Sequence, residues 1–430
     1  MRIGIDLQVL SERRTGIGNY AFNLVNALLS LNTAHEWVLF APPSLTLPTW
    51  GREKIVILPE KRIPVWDSQM RYARIMRQEK LDVLHGPANV LPLTYPFFVS
   101  PLAWGRKSTV ITLHDLAIYK HPEWFPRGQW FATKIVVPQS IKKADKIIVP
   151  SQATKHDLQE IFQVREDKIA VIPHGVEERF FRSSVIASAT PRGNPNEIAS
   201  SPASTRFPRN DRRTKYILFV GTLEPRKNLP RMIEAYHELS AGLKNEFELW
   251  IVGGKGWGEK FQMANVKFQT EGIKFLDYVN YDDLPALYQN ASLFVYPSLY
   301  EGFGLPVLEA MAGGVPVITS KDSPMADVFT GKFEARSTKH EANSNDQNPK
   351  SKNSLNLEHS NLDIVSDFDI RISDFLVDPY SVQEIRDATE KLLTHAELRE
   401  KMAKRGKEIA KQFTWDKTAR ETLLIYESLI

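Results

Sequence analysis

The chain has 430 residues, of which 42% are hydrophobic and 25% charged, and a formal net charge of +4. That length exceeds what one hydrophobic core usually serves, so two domains are expected, and so small a net charge argues against a nucleic-acid partner. The absence of cysteine excludes disulfides, thiolate metal sites and cysteine nucleophiles together.

The opening "MRIGIDLQVL" reads as a strand rather than a signal peptide, and the sequence contains no run of about 18 apolar residues. A soluble, cytoplasmic protein is the expectation. Short apolar or β-branched runs follow in order: "RIGIDL", "EWVLFA", "KIVILP", "LDVLH", "TVITLHD", "DKIIVPS" and "KIAVIP". Most are apolar on consecutive positions, as strands covered on both faces should be. Helical patterns separate them, which is the signature of a parallel α/β sheet. A helix is expected to begin near Gly16, in "RRTGIGNYAFNL", and another after Ser151 as its N-cap. Gly16 and Gly18 make half of a dinucleotide fingerprint without its third glycine; they read as a close-approach loop for a phosphate or sugar. His114 and Asp115 end the strand in "TLHDL", where a ligand contact and a structural histidine are both open readings. His85 and His174 also end strands and rank below it.

Residues 183–213 are rich in Ser, Pro, Asn and Ala and read as a linker between an N-terminal domain, 1–182, and a C-terminal one, 214–410. The second domain repeats the pattern with "KYILFVG", "FELWIVGG", "IKFLDYV", "SLFVYPS", "VPVITS" and "DFLVDP". A polar stretch, about 331–363, reads as a disordered surface insertion. Amphipathic helices close the chain, and the last, in 411–430, is expected to pack back on the N-terminal domain. The fold class is thus α/β, with two doubly wound, Rossmann-like domains and ligands in the cleft at their strand ends.

Two stretches of the second domain carry most of the chemistry. "GTLEPRKN" places Arg226 and Lys227 side by side after a strand, where a fork and a point charge suit a diphosphate. "EGFGLPVLEAMAGG" places Glu301 before, and Glu309 inside, a helix that is expected to start around Gly304 with Pro306 in its first turn. Its first amides suit an anion, and the flanking carboxylates suit sugar or ribose hydroxyls. Asp282 and Asp283 read as helix-start acids rather than a metal site. Arg71, Arg74 and Arg77 read either as a solvated helix face or as a contact with an anionic membrane.

Together these motifs, with "HPEWF", "IKKADKIIVPS" and "VIPHGVE" in order between them, resemble the retaining GT-B glycosyltransferases of the bacterial mannosyltransferase-like family (family 4, group 1). The resemblance covers nearly the whole chain apart from the two polar stretches. It implies transfer of a hexose, mannose foremost, from a nucleotide sugar such as GDP-mannose to a glycan or lipid-linked acceptor in cell-surface polysaccharide synthesis. It also implies roles: Lys227 with Arg226 on the donor diphosphate, Glu301 on the transferred sugar, Glu309 on the ribose and His114 near the reacting carbon. Backbone at Phe303, Gly304 and Leu305 would meet sugar and phosphate, and Gly16 would approach the diphosphate. Many relatives carry arginine directly after the glycine of the phosphate strand, where this chain has Thr222. No metal and no cofactor beyond the donor is expected, and the expected location is the cytoplasm, with peripheral contact at the inner face of the plasma membrane. A GT-B phosphorylase, an epimerase and a non-catalytic nucleotide-sugar-binding protein are the competing readings.

Overall fold

The computed structural model describes residues 1–11, 15–43, 45, 47–48, 51, 53–61, 67–92, 94–95, 107–126, 128, 131–182, 214–254, 256, 271–329 and 375–430. The expected linker, 183–213, and the expected insertion, 331–363, lie outside them.

Two compact units emerge, one made of Met1–Phe180, Glu301–Leu305 and Lys411–Ile430, the other of Phe181–Tyr300 and Pro306–Ala410. In the first, seven parallel strands, β1 (Arg2–Asp6), β2 (Glu36–Ala41), β3 (Glu53–Ile57), β4 (Val83–Gly86), β5 (Ser108–Thr112), β6 (Lys146–Val149) and β7 (Ile169–Val171), lie in the order β3-β2-β1-β4-β5-β6-β7. Alternate residues of β2 serve opposite cores: Trp37, Leu39 and Ala41 face one, Val38 and Phe40 the other. Consecutive apolar residues therefore bury on both faces, whereas edge strand β3 is only half buried and leaves Ile57 exposed. Helices α1 (Gly16–Ser30), α2 (Tyr72–Gln78), α3 (Ala117–Lys120), α4 (Val137–Lys143) and α5 (Gln152–Phe162) fill the connections.

The second unit has six parallel strands: β8 (Lys215–Val220), β9 (Phe247–Val252), β10 (Ile273–Phe275), β11 (Leu293–Tyr296), β12 (Val317–Ser320) and β13 (Leu376–Val377). Their order is β10-β9-β8-β11-β12-β13. Its helices are α6 (Leu229–His237), α7 (Ala241–Glu246), α8 (Leu284–Gln289), α9 (Leu305–Ala312), α10 (Pro324–Phe329), α11 (Val382–Thr394) and α12 (Ala396–Ala410). Strand order reverses between β1 and β4 in one sheet and between β8 and β11 in the other, and such points hold ligands at the strands' carboxyl ends.

The last helix, α13 (Trp415–Glu427), lies in the first unit against α1 and buries Trp415, Ala419 and Tyr426. Thr414 caps it by accepting from Lys417 N. The Tyr426 hydroxyl reaches His85 Nδ1 at 2.6 Å, His85 Nε2 meets Thr112 Oγ1 at 2.8 Å, and Thr112 meets the Tyr20 hydroxyl at 2.9 Å. This buried string ties α13, β4, β5 and α1 together. Burial pushes the His85 imidazole down to about 3, so it is neutral and structural.

Candidate functional site

In the second unit the chain after β8 turns tightly through Pro225–Lys227, and Asn228, at φ 58°, opens α6. This turn is stitched to the chain after β11. Leu299 N donates to Arg226 O at 2.7 Å and Asn228 Nδ2 to Pro297 O at 2.9 Å. Both sides of the β8/β11 reversal are thus one hydrogen-bonded assembly. Lys227, only 6% exposed, points its Nζ at the Tyr296 hydroxyl, 2.6 Å away and at the end of β11. The same ammonium lies 5.1 Å from the centre of the Tyr296 ring.

Arg226 is differently placed. Its Nε donates to Glu224 Oε2 at 2.7 Å, and its Nη1 reaches Tyr300 O at 3.4 Å. Its charge is therefore partly met within the turn, which the adjacency of "RK" does not disclose.

Glu309 lies one turn into α9 and is 7% exposed. Its Oε2 accepts from the Tyr288 hydroxyl of α8 at 3.0 Å. Burial and the Glu309 carboxylate hold the Tyr288 phenol far above its ordinary value, so it stays a donor. Asp282 and Asp283 stand exposed at the start of α8, and Asp283 occupies the cap position without a side-chain cap bond.

The segment Glu301–Leu305 belongs to the first unit. Gly302 O accepts from Ser151 Oγ at 2.7 Å and from Thr154 Oγ1 at 3.1 Å, while Ser151 also caps α5 through Thr154 N. One hydroxyl therefore closes a helix end and anchors the glycine loop. A Cβ at Gly302 would lie 1.8 Å from His114 O, so only glycine fits. Gly304, at φ 104°, takes the left-handed conformation just before α9, which begins at Leu305, beside the expected start around Gly304. Glu301 is 9% exposed and Phe303 3%.

His114 follows β5. Its backbone N donates to Asn89 Oδ1 at 2.8 Å and its Nε2 to Pro87 O at 2.8 Å, which fixes the ring. Burial lowers its pKa, against a raising influence from the Pro87 bond, so it is a neutral imidazole with Nδ1 as the acceptor. Gly16 opens α1 behind the Thr15 cap, which accepts from Gly18 N. A Cβ at Gly16 would meet nothing within 4 Å, so the fold itself places no demand on glycine there. At the end of β1, Asp6 accepts from Gln8 N and Gln8 Nε2, and burial pushes its carboxyl up to about 6. Arg71 and Arg74 are exposed at α2, but Arg77 is half buried and turns back on Ala73 O.

Ser151 is legible in the sequence as a helix cap, whereas Tyr296, Tyr288, Glu224, Thr154 and Asp6 are residues that the motifs alone did not single out. Of these only Glu224, two residues before Arg226, carries a sequence signal.

Two family models match the chain. "Glycosyltransferase Family 4" matches residues 14–180, and "Glycosyl transferases group 1" matches residues 202–358. The chain belongs to this glycosyltransferase family. The glycosyltransferase is 28% identical over 349 residues to O-antigen chain mannosyltransferase B of Escherichia coli, covering 76% of this chain and 84% of that protein. It is 26% identical over 226 residues to the O-antigen chain mannosyltransferase RfbU of Salmonella typhimurium, covering 52% and 55% of the two. Its fold is similar to that of HepE from Anabaena, solved with UDP and glucose, at a TM-score of 0.64, 16% identity and full coverage of both chains. Sucrose-phosphate synthase from Thermosynechococcus elongatus gives a TM-score of 0.68 at 16% identity, over 100% of this chain and 98% of that one. The two doubly wound units are those of the GT-B fold. Among the described residues, no helix is long and apolar enough to cross a membrane.

Proposed function

We propose that this glycosyltransferase moves a hexose, mannose foremost, from GDP-mannose to a glycan or lipid-linked acceptor in cell-surface polysaccharide synthesis, with retention at the anomeric carbon and without a metal ion. The observation that carries the donor half is the stitched β8/β11 reversal, which holds the buried Lys227 ammonium at the carboxyl ends of both strands. An ammonium held at these strand ends is placed to take an anion, and a diphosphate is the anion a nucleotide sugar supplies. Lys227 takes the charge of the leaving diphosphate, with Arg226 assisting and the amides at Phe303, Gly304 and Leu305 facing the phosphate and sugar. Tyr288 orients Glu309 to accept from the ribose hydroxyls. Glu301 reads the hydroxyls of the transferred sugar, His114 contacts it beside the reacting carbon, and the open backbone at Gly16 approaches the diphosphate.

Mannose and the polysaccharide setting are supported by the two O-antigen mannosyltransferases to which the chain is similar. Retention follows family analogy. A phosphorylase or an epimerase would use the same diphosphate cradle, so product analysis decides among them. Exposed Arg71 and Arg74 support peripheral contact with an anionic membrane, to be read by flotation with anionic vesicles.

The test is incubation with GDP-mannose and with UDP-hexoses, with acceptor glycan and with EDTA, followed by proton NMR of the product's anomeric signal. Transfer from GDP-mannose in EDTA with an α-linked product is expected. Loss of transfer in EDTA, restored by a divalent cation, would overturn the metal-free reading, and inversion would overturn retention.

A further inference from the structure

We propose that His174 is a sugar-recognition residue, whose imidazole takes a hydroxyl of the transferred hexose beside His114. This rests on the donor reading above and extends it to a residue to which that reading gives no role. His174 follows β7 in a loop that is fixed on both sides. Thr418 Oγ1 donates to Pro173 O at 2.8 Å, and Val176 N donates to Phe413 O at 3.0 Å. A Cβ at Gly175 would lie 2.2 Å from Trp415 N, so the backbone beside His174 packs directly on the start of α13. The ring is 5% exposed, with ring centroids at 4.6 Å for Tyr20, 4.9 Å for Phe303 and 5.4 Å for His114.

Neither Nδ1 nor Nε2 of His174 finds a hydrogen-bond partner among the described residues. The contrast with its neighbours is informative. His85 has both nitrogens bonded, and His114 has Nε2 on Pro87 O. Among the described residues, each of those two buried imidazoles thus receives at least one bond from the fold's own groups, and His174 receives none. An orphaned buried polar group is unfavourable and calls for an explanation.

The chemistry of the ring names the class of its partner. Burial keeps this imidazole neutral, with one N–H to donate and one lone pair to accept. A phosphate oxygen would answer only the donor and an ammonium only the acceptor. A hydroxyl, which donates and accepts from one atom, can answer whichever nitrogen faces it. The adjoining His114 and Phe303 place it on the sugar rather than on the nucleotide.

The experiment compares His174→Leu, which removes both polar atoms at nearly constant volume, with His174→Asn, which keeps one donor and one acceptor. The Leu variant is expected to melt at or above the parental temperature, because an orphaned polar group is gone. It should lose about tenfold or more in kcat/KM for the nucleotide sugar, the size of one lost hydrogen bond to a polar substrate group. Binding of the nucleoside diphosphate alone should not change, and the Asn variant should recover most of the rate. Should Leu disturb the aromatic packing, His174→Phe carries the same comparison. Parental kcat/KM in a folded Leu or Phe variant overturns the proposal, as does an equal loss in the binding of nucleoside diphosphate alone. A parent that turns over no nucleotide sugar overturns the donor reading instead, so the two failures are told apart.

Discussion

Two tyrosines set the charged side chains of the second unit. Tyr296 receives the Lys227 ammonium and Tyr288 donates to Glu309, so each charged group is oriented by a phenol of its own unit. Lys227→Ala should cost the diphosphate one charge-assisted bond, about 1.5–3 kcal/mol, which is roughly tenfold or more in affinity. Glu301→Gln should instead leave nucleotide binding intact and lower kcat, and single-turnover kinetics on both variants would separate the roles. Asp6 gives a pH-dependent prediction. Its carboxyl is raised from 3.8 to about 6 by burial, so the folded state favours the protonated form. Its contribution to stability is full below about pH 4 and is lost as pH rises through 6. Asp6→Asn should therefore gain on the parent at pH 8 relative to pH 4, by at most about 3 kcal/mol, in urea titrations at the two pH values. An equal gap at both would show that Asp6 is not held protonated.

At the scale of elements, the strands were legible because a strand covered on both faces has little choice but consecutive apolar residues. Each of β1 to β13 overlaps a run that the sequence marks, with β3, β4 and β5 reaching one residue beyond theirs. The starts of α1 and α5 were legible as well, since Thr15 and Ser151 sit where a helix needs an acceptor for its free amides. What the sequence hid are contacts between distant segments. Nothing local in "EGFGLP" says that Gly302 O accepts from Ser151 and Thr154, nor that Arg226 turns on Glu224. The same loop yields a prediction: Gly302→Ala forces a Cβ onto His114 O, and Gly304→Ala must hold a positive φ. Both should unseat the start of α9, with Gly304→Ala costing about 1 kcal/mol or more in thermal unfolding. Gly16→Ala meets open space and should fold like the parent, so any rate it loses is read as ligand contact. Tyr426→Phe removes the partner of a buried imidazole and should destabilise the first unit by about 1–3 kcal/mol in urea unfolding.

On the scale of the whole molecule, the two units differ in how they meet acid. The buried histidines among the described residues, His85, His114 and His174, all lie in the first unit, and burial depresses each. Unfolded imidazoles gain protons as pH falls through about 6.5 while these do not, so their contribution is full above that pH and drains away below it. The three together give a slope of up to about 4 kcal/mol per pH unit. Hydrogen exchange at pH 5 should show Met1–Phe180 opening before Phe181–Tyr300, and simultaneous opening would contradict this. The division of labour in the second unit is what the functional account needs most. Calorimetric titration of GDP in EDTA, into the parent and into Lys227→Ala, tests it directly. The parent should bind without metal, and the variant with an affinity about tenfold or more weaker. Equal affinity in the two proteins, or binding to the parent only after a divalent cation is added, would contradict it.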